Sequence, residues 1–333
     1  MSRTAFIIGG TGQIGIAVAA ALLRDGWQVR LAHAGRHEAR NIPAGADRVT
    51  LDRRDIAALE TALGAGVDAL IDTMAFNGAD ADQLLGLAGR YGQLAVISTA
   101  SVYEDDAGRS LETADTLGLP RFAAPRPEQS RTVAPSPESY SSAKMALESR
   151  LREASTRPVA ILRPCAVHGI NSRHPREWWF VKRMLDGRRR IPLAGNPEAR
   201  FHTSATANIA ALLVAALGRA ETLVLNAGDP DPPSIRQIGE TIAAELGWDG
   251  SFVPVAADAP VGHTPFSVPH DFLVSMAAAE AIGYRPAGSY VETLRPYLDW
   301  MRREATDWRT AFPVFAGYPS DPFDYAAEND ALG

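Results

Sequence analysis

The stretch "TAFIIGGTGQIG", Thr4 to Gly15, restricts the possible folds more than any other feature of this chain. A short apolar run ends in glycines, and an apolar-rich helix, Gln13 to Asp25, begins at once and stops at Gly26. The same exchange of period repeats along the first half. "QVRLAH", "RVTL", "ALIDTM", "QLAVIST" and "PVAILRP" read as strands. Asp55 to Leu63, Ala79 to Tyr91 and "ESYSSAKMALESRLREA" read as helices between them. Strands alternating with helices imply a parallel sheet covered on both faces, which explains the unbroken apolar runs. The expected class is α/β, a Rossmann doubly wound parallel sheet with a smaller C-terminal substrate lobe.

Residues 1–169 are expected to form the dinucleotide-binding domain, with 201–228, including "TLVLNAG", returning to it. Residues 170–200 and 229–320 are expected to form the substrate lobe. Helices are expected at Glu177 to Asp186, Asn208 to Leu217, Ser234 to Leu246 and near Tyr290 to Arg303. Asp105 to Pro137 has weak periodicity and reads as a long loop across a site mouth or an insertion. The tail, 321–333, is turn-rich and expected to be poorly ordered.

Gly10, Gly12 and Gly15 make GxGxxG, and Gly9, Gly12 and Gly15 make GxxGxxG. The early glycines allow a tight turn, Gly12 lets backbone approach a pyrophosphate, and Gly15 lets the helix pack against the sheet. The helix start then offers N–H groups and a positive dipole end to the phosphates, with Gln13 and Ile14 in its first turn. After the second strand, "VRLAHAGRHEAR" offers no acid until Glu38 and offers Arg36 instead. An arginine there accommodates a 2′-phosphate, so NADP is favoured over NAD. Asp52, after the third strand, is placed to meet the adenine edge or to make a turn.

The chain holds only two lysines, Lys144 and Lys182, among 33 basic Lys and Arg residues. Lys144 follows Tyr140 by four residues, about one helical turn, so the two share a helix face. A free tyrosine has a pKa of about 10, and a neighbouring ammonium is expected to bring it down. Such a tyrosine moves the proton that accompanies hydride transfer at a carbinol or carbonyl, while the lysine also bonds the nicotinamide ribose. At the end of the strand "AVISTASVY", Ser98, Thr99 and Ser101 supply hydroxyls to polarise a substrate oxygen.

Other classes recede on composition. The net charge of −6 gives no basic field for nucleic acid. No apolar run approaches the roughly 18 residues of a membrane span, and the N-terminus has no signal-peptide anatomy. Cys165 is the one cysteine, so no internal disulfide forms, and a reducing, cytoplasmic location is expected. Seven histidines lack metal-ligand spacing.

Taken in order, "GGTGQIG", "DRRD", "VISTASVY", Tyr140-x-x-x-Lys144 and "ILRPCAVHG" resemble the extended short-chain dehydrogenases/reductases, the group that includes NAD-dependent epimerases and dehydratases. The resemblance runs from the glycine loop to about Leu246. It implies Tyr140 as acid/base, Lys144 as its partner and Thr99 as the catalytic hydroxyl. It implies that Asp52 and Arg53, then Thr73, Met74 and Ala75 of "IDTMAF", and Pro164 with Cys165 lie along the cofactor. A homodimer is common in that group, and a small-molecule substrate is implied. Some relatives have drifted to roles such as RNA binding, which leaves a non-catalytic nucleotide-sensing or RNA-binding protein on the same fold as one alternative.

The pattern also departs from the group. The dehydratases' Asp-Glu after the catalytic threonine is replaced by Ala100 and Ser101, which disfavours dehydration. The epimerases' asparagine in "RPCAVHG" is replaced by Ala166, which weakens the sugar-nucleotide reading. For the substrate side the candidates are Ser101, His168, Trp179 in "HPREWWFVKRML", and Arg200 against an anionic group. Hydride transfer at a secondary alcohol or ketone is the leading activity. A redox-neutral sugar-nucleotide epimerase with retained NAD remains its alternative.

Overall fold

A computed structural model describes residues 2–35 and 40–333. The strands are β1 Thr4–Ile8, β2 Gln28–His33, β3 Ala46–Thr50, β4 Val67–Asp72, β5 Tyr91–Ile97, β6 Val159–Pro164, β7 Ala166–His168, β8 Arg190–Ala194, β9 Thr203–Ala205, β10 Leu223–Ala227 and β11 Ser251–Val255. The helices are α1 Gln13–Arg24, α2 Ile56–Leu63, α3 Gly78–Gly86, α4 Tyr140–Ala154, α5 Trp178–Leu185, α6 Thr206–Ala216, α7 Ile235–Leu246, α8 Ala277–Ala281 and α9 Tyr290–Glu304, then three short ones, α10 Trp308–Ala311, α11 Pro313–Ala316 and α12 Tyr325–Leu332.

Seven strands form one sheet in the order β10-β6-β5-β4-β1-β2-β3, every pair parallel. Side chains on a strand alternate between faces, and both faces are buried. Ala5 and Ile7 pack with Val18, Leu22, Ile209 and Leu213 of α1 and α6. Phe6 and Ile8 pack with Leu59, Leu84, Leu147 and Leu151 of α2, α3 and α4. Each fully buried Leu, Ile or Phe contributes about 1.5–3 kcal/mol, so the strand–helix alternation drives this arrangement. The strand order turns back at β1 and β4, and that crevice is where ligands bind in open α/β sheets.

A separate apolar cluster holds Trp178, Trp179, Phe180, Ile238, Tyr297, Trp300, Phe312 and Phe315, on elements that follow β7. Here β8 pairs with β11, while β7 pairs with β9, in two small parallel sheets. Periodicity gave no sign of these four strands, although "EARFHTSATANIA", which contains β9, resembles a strand followed by a helix in the related group. One expected helix is also shorter: α3 ends at Gly86, a 3₁₀ turn spans Ala88–Arg90, and Tyr91 already belongs to β5. The tail corrects the expectation of poor order. Phe323 and Glu328 are buried, and Glu328 accepts from Arg183 of α5 at 2.8 Å. Among the described residues, no helix is long and apolar enough to cross a membrane.

Candidate active site

The glycine turn is built to bring backbone close to a ligand. Gly9 has φ +74°, and a Cβ on it would meet Thr73 Oγ1 at 2.4 Å. A Cβ on Gly15 would meet the Gly9 carbonyl oxygen at 2.5 Å and Gly10 Cα at 2.7 Å, so only glycine lets α1 start against β1. Gly12 is the N-cap of α1, without a capping side chain, and the first turn carries no acid. These features leave the helix start to an anion. Gln13 Oε1 is buried without a hydrogen-bond partner. Backbone approach, an uncapped helix start and an orphaned acceptor fit the pyrophosphate and nicotinamide ends of a dinucleotide.

Beside the turn, Asp72 ends β4 fully buried. Its Oδ1 accepts from Met74 N at 2.7 Å and Ala75 N at 2.8 Å, and its Oδ2 accepts from Arg53 at 2.8 Å. Burial raises the Asp72 pKa against the pull of Arg53. Arg53 also pairs with Asp80, so its guanidinium bridges two carboxylates and ties the loop after β3 to α3. Thr73 Oγ1 donates to Ile8 O at 3.1 Å, and Met74 is exposed above the turn. Asp52 accepts from Arg54 N at 3.0 Å. Arg36, on which the NADP preference rests, lies outside the described residues.

Helix α4 begins with a capping box: Ser139 caps Ser142 N, and Ser142 Oγ returns to Ser139 N at 3.1 Å. That cap sets Tyr140 as the first helical residue. Its ring packs on Phe76 with centroids 5.7 Å apart, and its phenol and the Thr99 hydroxyl line the same cleft. Thr99 Oγ1 lies 3.0 Å from Ser101 Oγ, which accepts from Ser141 Oγ at 2.9 Å. A chain of hydroxyls therefore runs from the end of β5 to the first turn of α4.

Lys144 is buried one turn further on. Its Nζ donates to Ala75 O at 2.7 Å and Ile97 O at 2.8 Å, two of the three bonds an ammonium can donate. It lies 6.0 Å from the centre of the Tyr140 ring. The expected lowering of the phenol pKa does not appear. The Tyr140 pKa is raised, first because the cleft walls displace water from a ring still 48% exposed. Thr99 and the Arg176 charge favour phenolate, and Glu112 opposes it.

Burial pushes the Lys144 pKa down to about 8, against Asp72 and Asp80. An unfolded lysine titrates near about 10.4. Between these values the unfolded chain binds more protons, so Lys144 makes stability rise with pH across that window. From about pH 7.5 to about pH 9.5 the wild type is expected to gain about 2 kcal/mol relative to Lys144→Met. Urea unfolding of both proteins at the two pH values checks this; parallel pH dependences would refute it.

The hydroxyls open into a cleft of about 510 Å³. Gln13, Thr99, Ser101, Tyr140 and Cys165, all expected at the site, line it together. The sequence reading missed Leu111 and Glu112 from the long loop, Ser172, His174 and Arg176 after β7, and the Phe201 and Phe272 wall. Arg176 stands two residues before the "WW" pair, but no periodicity marks it. Burial, then Arg176, lowers the His174 pKa to about 4, so this imidazole is neutral at pH 7.

Three expected substrate residues sit elsewhere. His168 is buried and bonds Asp229 Oδ2 at 2.8 Å, because the β7–β9 pairing turns it into the protein. Trp179 is 2% exposed and stacks under the Arg183 guanidinium at 3.6 Å, as part of the α5 core. Arg200 is held by Asp271 at 2.6 and 3.0 Å. In extended chain, neighbours face opposite ways, and it is Phe201 that lines the cleft. Pro164 ends β6, and Cys165 N donates to Ser204 Oγ at 2.8 Å. Burial pushes the Cys165 thiol pKa well up, which keeps the thiol protonated at neutral pH.

Comparison with solved structures returns the same fold. A UDP-glucose 4-epimerase from Thermotoga maritima, solved with UDP-glucose, superposes with a TM-score of 0.69 at 18% identity, over 91% of this chain and 100% of that one. A dTDP-glucose 4,6-dehydratase from Bacillus anthracis, in complex with NAD, gives 0.67 at 16% identity, over 93% and 100%. A putative epimerase from Burkholderia cenocepacia gives 0.67 at 21%, over 91% and 99%. No curated protein matches the chain in sequence. The model of the NAD dependent epimerase/dehydratase family matches residues 5–228, most of the chain and, apart from Thr4, all of the seven-stranded sheet. This chain is therefore a member of the NAD dependent epimerase/dehydratase family.

Proposed function

We propose that this protein transfers hydride at a secondary alcohol or ketone carbon, with Tyr140 moving the accompanying proton. The observation that carries this reading is the Tyr140 phenol and the Thr99 hydroxyl together in one cleft that also reaches Gln13 of the glycine turn. Gly9, Gly12, Gln13, Ile14 and Gly15 would hold the pyrophosphate side of NAD or NADP, and Thr73, Met74, Ala75 and Cys165 would flank it. When bound, the nicotinamide supplies or accepts the hydride. Thr99, backed by Ser101, orients the substrate oxygen. The raised pKa of Tyr140 keeps its proton in place at neutral pH, so in the reducing direction the phenol gives that proton to the oxygen as the carbonyl becomes an alcohol. Lys144, held by two carbonyls, keeps a cation behind the phenol for the ribose hydroxyls. On this reading the protein works as a homodimer.

A sugar-nucleotide epimerase with retained NAD is the second reading, supported by the family and by what its solved members bind. Ala166 and the Arg200–Asp271 pair weigh against it. To test the proposal, the purified protein is denatured and any released nucleotide identified by mass. Stoichiometric NAD is the result for a retained cofactor and a redox-neutral cycle. An empty protein that titrates with NADPH or NADH is the result for a net reductase, and the preferred dinucleotide tests Arg36. A protein that neither releases nor binds a dinucleotide is no such enzyme.

A further inference from the structure

Among the described residues that line the cleft Arg176 is the one cation, and no hydrogen bond or ion pair holds its guanidinium, although its charge reaches the buried Glu177 carboxylate. Arg176 lines the cleft half-buried, and its charge reaches the Tyr140 phenol. Of the other arginines near this end, Arg126 lies over the Phe122 ring and does not line the cleft, and two more are committed. Arg200 is bound by Asp271, and Arg163 by Glu148. His174 adds no charge at neutral pH, and its Nε2 faces the Tyr318 hydroxyl at 2.5 Å. An unpaired guanidinium in a partly dry cleft binds a planar anion through two parallel hydrogen bonds.

The remaining walls limit what carries that anion. Phe201 and Phe272 meet edge to face at 5.3 Å, and Phe122 closes on Phe272 at the same distance. This aromatic wall offers contact to an apolar ring and no partner to a phosphate chain or ribose. Among the described residues the cleft is lined by one acid, Glu112, whose carboxylate accepts from Ser141 N at 2.5 Å. One cation and one acid suit a monoanion and oppose a diphosphate. About 510 Å³ must also accommodate the nicotinamide end at Gln13 and Cys165, so the substrate is compact.

We propose that the cleft takes a compact monocarboxylate with an apolar, ring-sized body, and that Arg176 is the residue that selects it. The carboxylate sits on Arg176, the ring lies against Phe201 and Phe272, and the reacting oxygen lies at Thr99 and Tyr140. The last placement rests on the hydride-transfer reading; the anchoring by Arg176 does not.

The probe is 4-fluorobenzoate, with 4-fluorobenzamide as its neutral counterpart, followed by fluorine NMR on the purified protein. The acid is expected to bind at least about tenfold tighter than the amide. Arg176→Gln is expected to remove that preference, Arg176→Lys to restore part of it, and UDP to leave the bound acid in place. Arg176 is partly exposed and lies outside the core, and amide binding by the variants reports an intact cleft. Equal binding of acid and amide, no binding of the acid, an unchanged preference in Arg176→Gln, or displacement by UDP would each overturn the proposal. The readout is binding and not turnover. Failure of Tyr140 as the proton carrier would leave these results standing, and failure here would leave hydride transfer intact with a different substrate.

Discussion

Replacing Tyr140 by Phe is expected to lower turnover by about 10²–10⁴-fold, the range of positioned acid–base catalysis. The change removes one oxygen and little else. The Tyr140 ring packs on Phe76 at 5.7 Å, and a phenylalanine keeps that contact. The Ser139 cap and the two Lys144 bonds do not involve the phenol. Dinucleotide affinity is therefore expected to stay within about twofold and the fold to stay intact. The substrate oxygen would still meet Thr99, but no group in the cleft would replace the proton. His174 titrates near 4 and is neutral at working pH, and Glu112 is engaged by Ser141 N. Steady-state rates with dinucleotide titration separate the two effects. Turnover within about threefold of wild type, with cofactor still bound, would remove Tyr140 from the chemistry.

Tyr140 was legible because its evidence is local. A four-residue spacing on a capped helix needs no tertiary information, and neither does a glycine turn between a strand and a helix. The sheet was legible for a related reason: apolar runs bounded by helical periods imply buried parallel strands wherever they meet. The rest depends on distant contacts. Strands β7 and β9 have three residues each, and β8 and β11 contain Pro192 and Pro254, which argue against strand in a local reading. The repeat of Leu84, Leu85 and Leu87 extends the α3 pattern, yet Leu87 bonds back to Leu84 and the chain turns into β5. The tail lacks periodicity, but Arg183, 145 residues earlier, holds Glu328. The substrate side suffers most from this. Glu112, Arg176, Phe201 and Phe272 come from four separated segments, and only the fold makes them neighbours. His168, Trp179 and Arg200 had suitable chemistry in the right region but the wrong orientation, which composition does not encode.

The helix face that carries Tyr140 and Lys144 continues to Glu148, which lies fully buried behind the site. Its Oε1 accepts from Ser98 Oγ at 2.5 Å, and its Oε2 accepts from Arg163 at 2.6 Å. Arg163 also donates to the Tyr103 hydroxyl at 3.0 Å, and Tyr103 donates to Asn226 at 2.7 Å. Burial pulls the Arg163 pKa down, but Glu148 outweighs it and leaves it raised. Glu148→Gln would strand a buried guanidinium without its countercharge. Removing one partner of such a pair costs about 3–5 kcal/mol, whereas replacing both by packed apolar groups is often neutral. Glu148→Gln is therefore expected to lose about that much in chemical denaturation, and Glu148→Leu combined with Arg163→Met to lose clearly less than the two single changes added together. The same bonds fix Ser98 beside Thr99 and Arg163 beside Pro164, joining β5, α4 and β6 directly behind the hydroxyl chain. The single variant should thus also loosen the Thr99–Tyr140 geometry and lower kcat, even at temperatures where it remains folded. Additive losses in the double variant would mean that the two side chains are stabilised independently, and that the buried pair does not hold the site together.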